Sequence, residues 1–436
     1  MTAVRLDRSS WPARNRPARI VHIGLGNFSR AHQAWYTMRA DEAGEWGIVA
    51  FTGRHRALAD ALMRQGGLYT VIERGPAVDR LTVIDSIADA RAGADLSGLT
   101  EAIAAPQTAV VTLTVTEAGY RPLAGNGGGG DSQLPPVPTR LAGGLAARRR
   151  AGGGPLAVVS CDNLHCNGSV LRARTLEAAA ALDPALVDWV ESDIAFVNTS
   201  VDRITPHASD GDRAVVEREL GRVDDAVVVC EPFSDWILCG DFPAGRPRWE
   251  DAGARFVGDL DPWELRKLWL LNGGHSLLAY LGLLRGHETV ADAVADPELD
   301  LALDRYWDLA ERYLPPADLD VLAYRRQLRE RFGNARIGYP LAQIARDGLD
   351  KLRNRVIPVI KAALAAGVSA EPATRVAQAW TQWLIGAPSR VRSDHNAELL
   401  RGALRAQGAD DRARGLFELL APGLFTTTTT INEESQ

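Results

Sequence analysis

The sequence predicts an α/β protein, a Rossmann-like doubly wound sheet domain followed by a mostly α-helical C-terminal domain. Three observations predict it. In the first half, short β-branched runs alternate with amphipathic stretches, the pattern of strand–helix–strand units whose strands are buried on both faces. A glycine-containing turn follows the first of these runs and opens a helical stretch. After about Val257 the β-branched runs stop and long helical patterns take over.

The runs Arg19 to Ile23, Gly47 to Phe51, Thr108 to Val115 and Leu156 to Ser160 read as buried parallel strands, with helices between them such as Leu58 to Arg64 and Leu141 to Arg149. From Arg121 to Pro138 glycine and proline remove regular structure, so a mobile surface loop is expected. In the second half Leu277 to Leu284, Leu299 to Tyr313, Leu322 to Arg331, Val356 to Leu364 and Ala373 to Leu384 read as helices. The threonine-rich tail has no period and is expected to fray. The division expected is residues 1–257 as a dinucleotide-binding domain and 258–436 as a helical catalytic domain, with the active site in the cleft between them.

Composition narrows the function. The chain of 436 residues is 46% hydrophobic and 24% charged, with formal net charge −6, so it carries no basic field for nucleic acid or an anionic membrane. It lacks an apolar run of membrane-spanning length and its start is too polar for a signal peptide, so a cytoplasmic protein is expected. The cysteines Cys161, Cys166, Cys230 and Cys239 include no C-x-x-C pair and read as reduced thiols. Of 49 basic residues only Lys267, Lys351 and Lys361 are lysine. A lysine kept in so arginine-rich a chain invites a chemical reason, because a buried amine can lose its proton and a guanidinium cannot.

The turn after the first strand reads Gly24-Leu25-Gly26-Asn27-Phe28-Ser29-Arg30. It suits a pyrophosphate approached by bare backbone, or it is a tight strand-to-helix turn with no ligand; Ser29 replaces the third glycine of the usual fingerprint. No acidic residue ends the second strand, where one would hold the ribose of NAD. Arg54 and Arg56 stand there instead, either facing the 2′-phosphate of NADP or solvated.

The segment Trp263 to Gly286 is apolar on all sides except for a few polar groups, the mark of a buried helix. With Lys267 at the origin and ~100° per residue, Glu264 falls at about 60°, His275 at about 80° and Asn272 at about 140°. All four share one arc. Lys267 is then a general base with Asn272 and His275 donating to a substrate oxygen, or a structural lysine paired with Glu264. The loops Ser160 to Gly168 and Asn198 to Pro206 supply polar groups after strands, as ligand contacts or as caps and turns. Cys161, His165 and Cys166 fit no zinc spacing, so no metal is expected. Short-chain dehydrogenase, nucleophile-elbow and phosphate-loop patterns are absent.

Seven blocks, GLGNFSRAH, GLYTVIERG, LTVTEAGY, SCDNLHCNG, NTSVDRITP, EPFSDWIL and KLWLLNGGHSLLAYLG followed by DPEL, stand in order along almost the whole chain. In these the chain resembles the polyol-specific long-chain dehydrogenase/reductase family, which includes mannitol 2-dehydrogenase, arabinitol dehydrogenase and the fructuronate and tagaturonate reductases. The resemblance implies a metal-independent enzyme using NAD or NADP, with Lys267 as acid/base. It implies that Asn163 and Asn272 hold the reacting oxygen, that Asp202 and His275 position substrate hydroxyls, and that Glu264 relays the proton to solvent. On the cofactor side it implies Gly24, Gly26, Asn27, Phe28, Arg30, Arg54, Thr116 and Glu117. The family's D-G-S-Q-K block reads here Asp347-Gly348-Leu349-Asp350-Lys351, a change of polarity near the far end of the substrate, and Cys239 stands where an acidic residue is common.

The expected activity is therefore oxidation of a sugar polyol to its ketose or the reverse, with mannitol and fructose as first pair. Reduction of a ketohexuronate is the alternative, with Lys351 and Arg353 as candidate partners of the carboxylate. A catalytically silent nucleotide-binding sensor is the alternative of another class. Partners are small molecules, with no nucleic acid or membrane, and the chain is expected as a monomer or weak homo-oligomer.

Overall fold

The structure is a computed structural model describing residues 4–53, 55–115, 117–120 and 134–424; the side chains of 117, 118, 392 and 393 lie outside the description. It divides into two compact units, Met1–Leu260 and Asp261–Gln436.

The first unit is built on an eight-stranded sheet. In chain order its strands are β1 (Ala18–Leu25), β2 (Gly47–Thr52), β3 (Ile87–Arg91), β4 (Val110–Leu113), β5 (Leu156–Ser160), β6 (Ile194–Asp202), β7 (Asp235–Cys239) and β8 (Arg255–Phe256). Across the sheet they run β3-β2-β1-β4-β5-β6-β7-β8. The first six are parallel, and β7 is antiparallel to β6. The order reverses between β1 and β4, which is where a doubly wound sheet opens a crevice at its carboxyl edge.

The buried β-branched runs explain this sheet directly. Successive residues of one strand enter opposite cores: Ile20, Ile48, Ala50 and Val159 on one face, and Val21, Val49, Phe51 and Val158 on the other. Helices Leu96–Ala104, Val137–Arg150 and Asn167–Leu182 cover the second core. A separate three-stranded sheet was not legible beforehand: Tyr69–Arg74 lies between antiparallel Asp79–Ile84 and parallel Val228–Cys230. The loop expected through Pro138 falls largely on residues 121–133, outside the described residues. Its end is helical instead, since Pro138 sits in the first turn of Val137–Arg150, where a missing N–H costs nothing. The threonine-rich tail lies outside the described residues as well.

The second unit is helical. A continuous helix runs from Asp261 to Leu284, and the expected patterns appear as Pro297–Glu311, Val321–Phe332, Ile357–Ala365 and Glu371–Gly386. Trp307 and Trp380 are among its largest fully buried side chains. No helix among the described residues is long and apolar enough to cross a membrane.

Candidate active site

In the first unit the turn after β1 is shaped by contacts that leave no room for side chains. Gly24 has φ +105°, and a Cβ there would lie 2.0 Å from the carbonyl oxygen of Thr114. Thr114 Oγ1 donates to Gly24 O at 2.9 Å and meets His22 Nε2 at 3.0 Å, while His22 Nδ1 meets Thr112 Oγ1 at 2.8 Å. Burial holds His22 down at about 4, so its imidazole is neutral beneath the turn. Gly26 caps the short helix Asn27–Ala31, its amide donating to Ser29 Oγ at 3.0 Å. The serine in place of a third glycine is thus a capping residue.

Asn27 and Phe28 are half-buried, and Phe28 stacks on His32 at 4.8 Å. Arg30, expected on the cofactor side, is held within the fold. It is buried, and its guanidinium donates to Gly26 O (3.1 Å), to Asn27 Oδ1 (2.8 Å) and to Ala226 O, so it anchors the turn from beneath. Arg54, Thr116 and the side chain of Glu117 lie outside the described residues. Arg56 is exposed and engaged by Asp60, Nε to Oδ2 2.9 Å.

The loop after β5 is tied to strand β6 by Asn167. Its amide donates to Asp162 O and Thr199 O, each at 2.8 Å, and its oxygen accepts from the amides of Gly168 (2.8 Å) and Thr199 (2.9 Å). On this frame Asn163 is exposed and Asp202 half-buried. Cys161 is buried in the core, whereas His165 is exposed and 3.3 Å from Cys166 Sγ. Beside Asn163, the buried Asp162 accepts from the Val115 amide, from Tyr120 Oη and from Ser160 Oγ (3.2 Å). It joins the TEAGY turn to the CDN turn.

Burial pushes the Asp162 carboxyl up to about 6 from 3.8, against hydrogen bonds that lower it. Folding therefore favours its protonated form, and the stability this group contributes is full below 3.8 and lost as pH rises through about 6. Asp162→Asn keeps the shape without the charge, so its urea midpoint should gain on that of wild type between pH 5 and pH 8. A constant or shrinking difference would refute this.

The NTSVDRITP block is organised by Arg203 rather than by its polar turn residues. Buried Arg203 donates to Glu73 Oε1 (2.7 Å), Glu231 O (3.1 Å) and Ala31 O (2.6 Å), and Ile204 N donates to Glu231 Oε1 at 2.7 Å. Four of the sequence blocks meet at this one guanidinium.

In the second unit Asp261–Arg266 is α-helical, Lys267–Asn272 is a π-helix and Gly273–Leu284 is α-helical again. This corrects the ~100° wheel. A π-helix bonds i to i+5 and turns less per residue, so Asn272 stands closer in angle to Lys267 than the wheel's figure of about 140°. Gly273 and Gly274 do not break the helix; they admit its neighbour closely, for a Cβ on Gly273 would lie 2.1 Å from Tyr306 Oη. Glu264, Lys267 and Asn272 are half-buried. His275 is buried, its ring against Phe332 (4.6 Å) and Tyr339 (5.7 Å).

Further along, Lys351 is half-buried and donates to Ile344 O at 3.0 Å. Desolvation, with Arg355 beside it, depresses its amine to about 8. Arg355 donates to Asn272 O (3.4 Å) and Ser276 Oγ (3.3 Å). The two departures in the D-G-S-Q-K block separate physically: Leu349 is fully buried in the core, and Asp350 is exposed and accepts from Asn396 at 2.8 Å. Neither is a polar group held at a pocket. Arg353 is exposed, donating to Leu419 O at 2.6 Å.

The profile of the Mannitol dehydrogenase Rossmann domain matches residues 18–251, and that of the Mannitol dehydrogenase C-terminal domain matches 259–412. The chain belongs to the mannitol dehydrogenase family. It is 36% identical to the D-mannonate oxidoreductase of Escherichia coli (strain K12), over 96% of this chain and 91% of that protein. It is 37% identical to the D-arabinitol 4-dehydrogenase of Ralstonia nicotianae, over 80% of this chain and 79% of that protein. The solved ternary complex of Pseudomonas fluorescens mannitol 2-dehydrogenase with NAD and D-mannitol is similar at TM-score 0.77 and 31% identity, covering 96% of this chain and 94% of that one. This family of oxidoreductases acts on secondary alcohols of polyols and sugar acids.

Sequence reasoning missed four residues of the frame: His22, Asp162, Arg203 and Trp307. Each is a polar or aromatic group inside an apolar run or beside a more obvious motif residue. A histidine within RIVHI was the one available signal, since a polar ring in a buried strand needs a partner.

Proposed function

We propose that this chain is a metal-independent NAD(P)-dependent oxidoreductase that interconverts a secondary alcohol of a sugar acid or polyol with the corresponding ketone. The observation that carries it is the π-helical turn Lys267–Asn272, whose wider spiral brings Asn272 nearer to the side of the helix that bears Lys267. Two groups that act on one oxygen must leave the helix on one side, and an α-helical register would splay them. Lys267 takes the hydroxyl proton in oxidation and returns it in reduction. Asn272 and Asn163 donate to the oxygen as negative charge develops there. Asp202 and His275 hold neighbouring hydroxyls, and Glu264 passes the proton to solvent. The nicotinamide, when bound, accepts or supplies the hydride.

The turn fits that cofactor. Gly24 packs where a Cβ would collide, and a Cβ on Gly26 would meet only Gly24 O at 3.7 Å, leaving open backbone for a pyrophosphate. Asn27, Phe28, Thr116 and Glu117 would line it, and Arg30 would hold it from below.

Of the two substrate pairs, the sugar acid is favoured. Lys351 and Arg355 place two cations on one helix, and a carboxylate there would stabilise the charged form of an amine that desolvation, and after it Arg355, depresses. The similarity to a D-mannonate oxidoreductase spans nearly the whole chain. Arg353, turned to the surface, takes no part. The purified protein offered NADH or NADPH with fructose, xylulose, fructuronate or tagaturonate should turn over a ketohexuronate with the highest kcat/KM, and a chelator should change nothing. A higher kcat/KM for fructose would return the polyol reading. Silence with all four would overturn the proposal and favour a nucleotide-binding sensor.

A further inference from the structure

We propose that Trp307 is a positioning residue that holds Lys267–Asn272 in its π-helical register and thereby aligns the amine with the Asn272 amide. The inference rests on the proposed role of Lys267. A π-turn inside an α-helix inserts one residue into the i to i+4 ladder, and it persists where something outside the helix favours the displaced backbone. At the carboxyl end of the segment the Gly273 amide donates back to Leu268 O, closing the wide turn, and to Leu270 O. Leu270 O also accepts the indole Nε1–H of Trp307 at 2.8 Å, from the separate helix Pro297–Glu311.

The approach of that helix is built in. Tyr306 and Trp307 press on consecutive glycines: a Cβ on Gly273 would lie 2.1 Å from Tyr306 Oη, and one on Gly274 would lie 3.1 Å from Trp307 Nε1. The two glycines of the NGGH motif are therefore the seats of two aromatic side chains. Trp307 is fully buried, and Tyr306 Oη donates to Arg355 O at 3.1 Å. Arg355 in turn donates to Asn272 O, which also accepts Ser276 Oγ at 3.0 Å. The carbonyls of Leu270 and Asn272 at the end of the π-segment are thus held by side-chain donors, and the indole reaches that segment from Pro297–Glu311. On its other side Trp307 packs on Phe332 (6.1 Å), whose ring meets that of His275 at a tilt.

Trp307→Phe removes the indole N–H and keeps an aromatic ring. A loosened register misplaces Lys267 by a fraction of a residue, and a misplacement of ~1 Å is worth ~100-fold in rate. The expected result is a fall in kcat of about 10- to 100-fold, with NADH affinity within about 2-fold of wild type. Proton transfer should become more rate-limiting, so the solvent deuterium isotope effect on kcat should rise, a change that a merely looser fold would not produce. Gly274→Ala, whose methyl would press on the indole at 3.1 Å and on Leu303 at 3.0 Å while Trp307 itself is kept, should give the same pair of changes, and it carries the test if Trp307→Phe fails to fold.

Wild-type kcat and isotope effect in the variant that folds would overturn the proposal. So would a loss of rate matched by the fraction of inactive enzyme in an active-site titration. The reading of Lys267 fails separately: if Lys267→Ala keeps ordinary turnover, Lys267 is not the acid/base whatever Trp307→Phe does.

Discussion

Lys267→Ala should lower turnover by ~10²–10⁴-fold, the usual contribution of a positioned proton-transfer group and equivalent to about 3–5 kcal/mol of barrier. NADH affinity should stay unchanged, because the turn proposed to hold the cofactor is in the other unit. Lys267→Arg should be about as inactive as alanine, since a guanidinium keeps its proton at every working pH and cannot return as a base. That pairing of variants separates proton transfer from charge. If the lysine served only as a positive charge near an oxyanion, arginine would rescue much of the rate. Added methylamine should restore part of the alanine variant's activity, as a small amine enters the space left by the side chain. The decisive measurement is single-turnover oxidation of NADH by the best ketone found. A loss smaller than tenfold in Lys267→Ala would remove the lysine from the mechanism. The composition supports the same view: three lysines survive among 49 basic residues, so this side chain is used sparingly.

The parallel sheet was legible because its strands are buried on both faces and so read as unbroken Val, Ile and Leu runs, as in TAVVTLTV and LAVVS. β3, reading Ile87-Ala88-Asp89-Ala90-Arg91, lies at the sheet's edge, where one side of the backbone is unpaired and polar residues are tolerated, so it carried no comparable signal. The site was legible as a set of residue types and not as a geometry. A wheel of fixed angle misses the π-helical turn at Lys267–Asn272, where the indole of Trp307, some forty residues on, donates to Leu270 O, and no local pattern announces it. Arg30 shows the same dependence on distant partners. An arginine just after a glycine turn looks like a phosphate ligand, yet its guanidinium closes on Ala226 O, a carbonyl far along the chain. Local spacing names candidates, and only the tertiary partners decide which way each side chain is held.

Gly24→Ala should be the most damaging single methyl in the first unit. The residue sits at φ +105°, outside the range that side chains adopt, which costs about 1–3 kcal/mol. Its Cβ would lie 2.0 Å from Thr114 O and 2.8 Å from Thr114 C, both backbone atoms. They cannot swing aside, because the Thr114 amide donates to Ile23 O at 2.9 Å and its hydroxyl to Gly24 O, so the strands β1 and β4 would have to part. Overpacking adds about 1–3 kcal/mol, and the sum is a large share of the 5–15 kcal/mol that holds a typical protein folded. Gly26→Ala is the internal contrast. Its backbone is extended and its Cβ would make only an ordinary contact with Gly24 O at 3.7 Å, so the fold should survive while the methyl blocks the close approach of a pyrophosphate. Urea unfolding should therefore show Gly24→Ala strongly destabilised and Gly26→Ala within about 1 kcal/mol of wild type. Fluorescence titration with NADH should show both variants weakened. A Gly26→Ala protein that binds NADH and NADPH as wild type does would take the cofactor away from this turn, and with it the assignment of the first unit's face.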